Sequence, residues 1–273
     1  VKRLFLRYIY HSSFIIEDDE YFLLFDYPSL KILKKRKEFK NAPDEIDILK
    51  LSKHKKMFVF ISHFHIDHFN PEVFEWRKKA DVRYIISHDV FEKRKKFLNF
   101  SENLYILSAK DFNYIYSKLK DLEYKAPDFD VKVEFKDLFV TALLSTDFGC
   151  SFYVNFKGIK IFFPGDFALW RFKKLGEFHE GIGEIFYETK GILKSNGVDI
   201  LFSVLPSSEE ELKETGWAGA DELLGNLKPL LFIPVHLRGN YEMIEKFEKQ
   251  NASGSQIFKY RGIFEAQEFR YSP

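Results

Sequence analysis

One stretch limits the folds open to this chain more than any other: Ile61-Ser62-His63-Phe64-His65-Ile66-Asp67-His68-Phe69-Asn70. Three of the chain's 8 histidines fall in it together with a carboxylate, directly after the apolar run Met57-Phe58-Val59-Phe60. A polar loop has no need of that concentration. A neutral imidazole offers one ring nitrogen to a metal ion and an aspartate offers a hard oxygen. His63 and His65 are two apart, so in an extended segment leaving a strand they point to one side. Asp67 and His68 are adjacent and must diverge, which suits a second centre reached after the chain turns. Asn70-Pro71-Glu72 then reads as a helix start, with asparagine at the cap and proline in the first turn. The expectation is a buried strand, a ligand loop and a helix, in an α/β protein.

Composition narrows the setting. With 45% hydrophobic residues among 273, the chain buries a sizeable core and is not disordered. A net charge of +1 calls for neither a nucleic acid nor an anionic membrane as partner. The one cysteine excludes an internal disulfide and fits a reducing compartment. Val1 to Arg7 lacks the apolar core of a signal peptide, and no apolar run approaches the roughly 20 residues that span a bilayer. These features predict a soluble cytoplasmic protein; they do not set its oligomeric state. The 32 Phe and 14 Tyr are expected in the core and between sheets rather than on a binding surface.

Along the chain, residues 3–9, 12–16 and 21–25 read as strands, the last ending at Asp26-Tyr27-Pro28. A basic run follows (Lys31, Lys34, Lys35, Arg36, Lys37, Lys40). Such runs are usually solvated faces; the alternative is a rim that attracts an anionic substrate. A short helix over 44–52 leads into the strand 57–61. Beyond the ligand loop come a helix over 72–80, a strand at 83–87, a helix over 90–98 and a strand at 104–107. That alternation is the pattern of an α/β protein. Residues 110–127 fit either a helix or a hairpin. Further strands are predicted at 130–135, 138–144, 151–156, 159–163, 198–205, 230–235 and 262–269. Helices are predicted over 183–193, 219–227 and 241–249, and the acidic stretch 207–214 reads as a loop. His54, His88 and His179 stand alone and read as surface or packing residues.

The arrangement His63-x-His65-x-Asp67-His68 resembles the signature of the metallo-β-lactamase superfamily of metal-dependent hydrolases. The resemblance implies one domain over 1–273. Its fold would be a four-layer αβ/βα sandwich of two mixed sheets flanked by helices, with the site between the sheets' ends. Asp26, closing an N-terminal β-meander, would be an outer carboxylate that orients the ligand loop rather than a ligand. Gly165-Asp166, after the hairpin 151–163, matches the carboxylate that bridges two cations. His236, ending the strand 230–235, matches the last ligand. The superfamily's third histidine for the first metal is missing from Ser145-Thr146-Asp147-Phe148-Gly149, and Asp147 is the strong donor there. Asp147 in its place would make that site harder and more tolerant of Mn or Fe; the alternatives are a weak or empty first site, or an Asp147 that only hydrogen-bonds. Cys150, beside Gly149, reads as a buried, inert thiol.

The implied sets are His63, His65, Asp147 and Asp166 for one metal, and Asp67, His68, Asp166 and His236 for the other. The cofactors would be two divalent ions, zinc first, with manganese or iron as alternatives. His11-Ser12-Ser13 and Pro234-Val235-His236 look most like the lactonase-like branch, close to ascorbate-phosphate lactonases; His11 itself reads equally as a strand residue or a site residue. The implied reaction is attack of a metal-activated hydroxide on an ester, lactone or phosphodiester of a small molecule, with Asp67 orienting it and Asp166 holding both ions. Trp170 and Arg171 are candidates for substrate contact. Two alternatives are a nuclease or phosphodiesterase acting on nucleic acid, and a metal- or ligand-binding protein with no turnover.

Overall fold

In β3 (Tyr21–Phe25) and β4 (Lys56–Ile61) nearly every residue is apolar, the mark of strands covered on both faces. The two-residue period sorts them. Phe22, Leu24, Met57, Val59 and Ile61 join one core cluster, while Tyr21, Leu23, Phe25, Phe58 and Phe60 join another. The computed structural model of the chain describes residues 2–39, 41–44, 46–109, 130–170, 178–251 and 254–271.

Among the described residues, fourteen strands form two seven-stranded sheets. The first sheet adds β1 (Lys2–Tyr10), β2 (Ser13–Glu17), β5 (Val82–Ser87), β6 (Leu104–Leu107) and β14 (Ala266–Tyr271), in the order β14-β1-β2-β3-β4-β5-β6. The second contains β7 (Lys132–Phe135), β8 (Leu138–Leu144), β9 (Cys150–Phe156), β10 (Ile159–Phe163), β11 (Ile200–Val204), β12 (Leu231–Val235) and β13 (Gln256–Ile257). Its order is β13-β12-β11-β10-β9-β8-β7. Both sheets are mixed in the same way. Pairing is antiparallel from β14 to β3 and from β7 to β10, and parallel from β3 to β6 and from β10 to β13.

Aromatic rings fill the space between the sheets. Phe25 stacks on Phe60 at 4.5 Å and on Phe163 of the facing sheet at 5.0 Å, and Phe14 meets Phe202 edge-on at 5.2 Å. The outer face of the first sheet is covered by α1 (Leu30–Leu33), α2 (Ile48–Leu51), a 3-10 helix (Pro71–Lys78) and α3 (His88–Arg94), whose Leu30, Leu33, Ile48, Val73, Phe74 and Val90 are buried. Against the second sheet lie α4 (Phe178–Asn196), α6 (Ala220–Leu227) and α7 (Glu242–Gln250), which bury Phe186, Leu223 and Phe247. This is the predicted four-layer αβ/βα sandwich. No helix among the described residues is long and apolar enough to cross a membrane. In the basic run, Lys31, Lys34, Lys35, Arg36 and Lys37 are exposed, as a solvated face should be.

The structure corrects three expectations about elements. Residues 207–214 are not a loop: α5 (Glu209–Thr215) occupies them. Ser208 caps it by accepting from Glu211 N at 3.2 Å, and the Glu211 carboxylate turns back to accept from Ser207 N at 2.8 Å and Ser207 Oγ at 2.7 Å. That is a capping-box pattern, and three glutamates in its first turn complement the helix dipole. The helix after Asn70 is 3-10 rather than α. The α4 helix begins five residues before Gly183, which lies inside it. Residues 110–127 lie outside the described residues.

Candidate metal centre

The loops at one end of both sheets converge on Ser62, and the sequence explains how. Ser62 directly follows β4 and is fully buried. Its N–H donates to Asp26 Oδ1 at 2.8 Å, its hydroxyl to Asp26 Oδ2 at 2.7 Å, and its carbonyl accepts from Cys150 N of the facing sheet at 3.1 Å. Gly149 (φ +68°) and Gly165 (φ +56°) press against it from that sheet. A Cβ on Gly149 would fall inside contact distance of Ser62 O and 2.8 Å from His63 Cβ. Gly149→Ala is therefore expected to destabilise the protein by about 2–4 kcal/mol, combining left-handed strain with overpacking. The midpoint of urea unfolding at an unchanged m-value measures this; a wild-type midpoint would show that the ligand loop yields freely.

Two outer contacts fix histidine orientation. His63 Nδ1 lies 3.0 Å from Ser62 Oγ, and His68 Nδ1 lies 2.7 Å from Asp26 Oδ2, so each ring turns its Nε2 inward. Asp26 follows β3 at φ 49° and is fully buried. Sequence reasoning missed Asp89, which is 6% exposed at the start of α3. It accepts from Phe64 N at 3.2 Å and from Val90 N at 2.8 Å and is bonded by Ser87 Oγ, while Arg94 donates to Phe64 O at 3.1 Å. The residue between His63 and His65 is thus held at both ends by α3. Burial pushes the Asp89 carboxyl up to about 7.

Six of the seven predicted ligands fall in two donor groups among the described residues; His236 is in neither, and His11, which was not a predicted ligand, joins the second. His63, His65, Asp147 and Asp166 each offer a donor atom, all within 4.8 Å of one another. A second group within the same limit is His11, Asp67 and His68. Asp166 lies between the groups. Its Oδ2 is 3.6 Å from His63 Nε2, and its Oδ1 is 3.0 Å from His68 Nε2 and 3.9 Å from His236 Nε2. His65 Nδ1 is 3.7 Å from Asp147 Oδ2. The first group opens to solvent through His65 and Asp147, whose side chains are 35% and 32% exposed. His11, His63 and His68 are fully buried.

Trp170 is buried; it donates to Asp166 O at 3.0 Å and packs its ring 5.7 Å from that of His236, so it props the site rather than lining an open surface. Arg171 lies outside the described residues. His88 is buried and His54 exposed, in keeping with packing and surface roles.

The donor set fits divalent cations. Atoms that share one cation at bonds of about 2.0–2.2 Å stand about 2.8–3.6 Å apart; His68–Asp166 at 3.0 Å and His63–Asp166 at 3.6 Å lie in that range, and His65–Asp147 at 3.7 Å and His236–Asp166 at 3.9 Å lie just beyond it. His63 Nε2, His68 Nε2, Asp166 Oδ1, His236 Nδ1 and both nitrogens of His11 are buried without a hydrogen bond of good geometry, an arrangement that costs free energy unless something else satisfies them. Burial holds His63 well below the ordinary histidine range, and lowers His65 and His236 too, so their lone pairs are free near neutrality. Burial also favours the uncharged form of Asp166, but His68, His236 and His63 outweigh it and keep the carboxylate ionised.

No protein-family profile and no curated protein matches the chain. Solved structures do. The chain is similar to Igni18, a metallo hydrolase from the hyperthermophilic archaeon Ignicoccus hospitalis KIN4/I, with a TM-score of 0.60 and 14% identity over 99% of this chain and 100% of that one. It is similar to YhfI from Bacillus subtilis, a metallo-β-lactamase fold protein, with a TM-score of 0.58 and 13% identity over 98% of this chain and 100% of that one. CmlA, a diiron β-hydroxylase from Streptomyces venezuelae, matches 99% of this chain with 55% of its own, at a TM-score of 0.54 and 12% identity. The chain has the metallo-β-lactamase fold.

Proposed function

We propose that this protein is a binuclear metal-dependent hydrolase acting on an ester, lactone or phosphodiester of a small molecule. The observation that carries the reading is the Asp166 carboxylate, which turns one oxygen toward His63 and the other toward His68 and His236. One carboxylate between two imidazole-rich groups is what a pair of cations needs. His63, His65, Asp147 and Asp166 would hold one ion, and Asp67, His68, Asp166 and His236 the other. Bound divalent ions supply Lewis acidity and bring the pKa of water to about 7.

The chain's own residues do the rest. Ser62 and Asp26 fix the tautomers of His63 and His68, and Asp67, 21% exposed, would orient a water for attack. No thiol nucleophile competes, since burial pushes Cys150 well above the ordinary thiol range. Asp147 makes the first site harder than three histidines would, which favours manganese or iron there, and the likeness to a diiron enzyme supports trying iron beside zinc. The lactonase-like assignment rests on His11-Ser12-Ser13 and on Pro234-Val235-His236.

Metal content per chain, measured on protein purified without chelator and after reconstitution with Zn, Mn and Fe, tests the reading, alongside an ester, lactone, thioester and phosphodiester panel. Two equivalents are expected, with turnover that a chelator abolishes and metal restores. No bound metal would sink it, and two equivalents without turnover on any substrate would mark a binding protein. Cleavage of a labelled oligonucleotide in preference to small esters would transfer the activity to nucleic acid. Asp147→Ala is expected to weaken one equivalent by more than the roughly 10–100-fold that loss of an outer contact costs, leaving the other in place. Unchanged affinities in a chelator competition would remove Asp147 from the ligand set.

A further inference from the structure

His11 belongs to neither of the four-residue ligand sets, yet it is built into the site. It occupies the two-residue turn between β1 and β2, where a register shift between Tyr8 and Tyr10 bends the strand. It adopts φ 57°, uncommon for a residue with a side chain. Two backbone bonds hold it there: its N–H donates to Tyr8 Oη at 2.9 Å, and its carbonyl accepts from His236 N at 3.2 Å, joining the two sheets at the site. Its ring is fully buried, with its centroid 4.5 Å from that of His236 and 5.4 Å from that of His68. Its Nε2 lies 3.5 Å from Asp67 Oδ2, an ion-pair distance without good hydrogen-bond geometry, and its Nδ1 has no partner among the described residues. A fully buried imidazole with Nδ1 bare and Nε2 short of a proper bond to Asp67, beside the rings of His68 and His236, calls for a further partner.

The sheets give the position a meaning. Each runs antiparallel through four strands and parallel through the rest, so β1 corresponds to β8, β2 to β9 and β3 to β10. Asp26 after β3 then corresponds to Asp166 after β10. The β1–β2 turn, which carries His11, corresponds to the β8–β9 turn, which carries Asp147. Asp147 groups with His63, His65 and Asp166, and His11 groups with Asp67 and His68. Each sheet thus contributes one donor from its equivalent turn.

We infer that His11 is a ligand of the second cation, so that this site is formed by His11, Asp67, His68, Asp166 and His236. The inference rests on the binuclear reading above and adds a donor to it. It also makes the two sites chemically unlike. The first has two imidazoles and two carboxylates; the second has three imidazoles and two carboxylates. The nitrogen-rich site prefers zinc or cobalt, and the harder, more open one accepts manganese.

Cobalt(II) titration of the metal-free protein tests this through its visible absorption, independently of turnover. The variants are His11→Gly and His11→Gln. Glycine suits φ 57°, so the first removes the ring without backbone strain. Wild type is expected to take two equivalents. His11→Gly should lose more than about 100-fold in affinity for one of them, with a changed cobalt band, and free imidazole should restore both. His11→Gln should not restore them. X-ray absorption of wild type with one equivalent of zinc should count three imidazoles, those of His11, His68 and His236, a measurement that needs no variant to fold. A count of two, or an unaltered cobalt band and affinity in His11→Gly, overturns the assignment while leaving the binuclear reading intact. Recovery with glutamine but not with imidazole also overturns it, because His11 would then act by a hydrogen bond to Asp67. A wild type that takes up no metal overturns both.

Discussion

Asp166→Asn is expected to abolish the paired metal site and lower hydrolysis by at least about 10³-fold, beyond what loss of a single transition-state donor usually costs. The substitution keeps volume and shape and removes one charge. In the wild type that charge faces His63, His68 and His236 at 3.6, 3.0 and 3.9 Å, and its two oxygens serve both donor groups at once. An amide offers one neutral oxygen and turns an N–H₂ toward the other group, where a cation would be repelled. Metal content should therefore fall from two equivalents to one or fewer. The stabilisation that metal gives to the wild type, about 2.7 kcal/mol at a hundredfold excess over Kd, should shrink with it. In the presence of chelator, the melting temperatures should stay close, because no cavity is made and the site's packing is unchanged. That contrast separates loss of metal from loss of fold. Two equivalents bound by Asp166→Asn with wild-type affinity would show that Asp166 bridges nothing.

How much of this site could be read in advance follows from how the chain delivers it. His63, His65, Asp67 and His68 are adjacent in sequence and follow an apolar strand, so spacing alone exposed them. Asp147, Asp166 and His236 are scattered in loops one to three residues from a strand end, and the resemblance to the superfamily, read along the order of strands, gave their place. Asp26 was placed by the same resemblance. Asp89 was not: its contact with Phe64 exists only because β4 and β5 are parallel neighbours, which puts the start of α3 beside the ligand loop. His11 had an equal claim to a strand role, because nothing in a two-residue turn shows that its ring meets those of His68 and His236. The α5 helix was misread because an acidic run looks like a loop, although Ser208 and Glu211 carried its capping signal. The strands were the most legible elements, because burial on both faces leaves continuous apolar runs.

Asp26 should separate fold from metal binding when two substitutions are compared. Its carboxylate is fully buried and accepts from Ser62 N at 2.8 Å, Ser62 Oγ at 2.7 Å and His68 Nδ1 at 2.7 Å. Asp26→Ala strands all three donors in the interior and puts alanine at φ 49°. The expected loss is about 3–5 kcal/mol, the range for breaking a buried charged network, rather than the sum of three separate bonds. Asp26→Asn is a different experiment. To keep the bond from Ser62 N, the amide oxygen must take the Oδ1 position, which turns the N–H₂ toward Ser62 Oγ and His68 Nδ1. The serine hydroxyl can reverse and accept. His68 can accept only by moving its proton to Nε2, the nitrogen that faces Asp166. That tautomer cannot bind a cation through Nε2. Asp26→Asn should thus cost only about 1–2 kcal/mol in chelator and still lower the affinity of one equivalent by about 10–100-fold. Urea unfolding in chelator and metal competition on the same preparations measure the two effects. If asparagine kept both equivalents at wild-type affinity, the orientation of His68 would not depend on Asp26. If alanine unfolded at the wild-type midpoint, the buried network would contribute nothing to the fold.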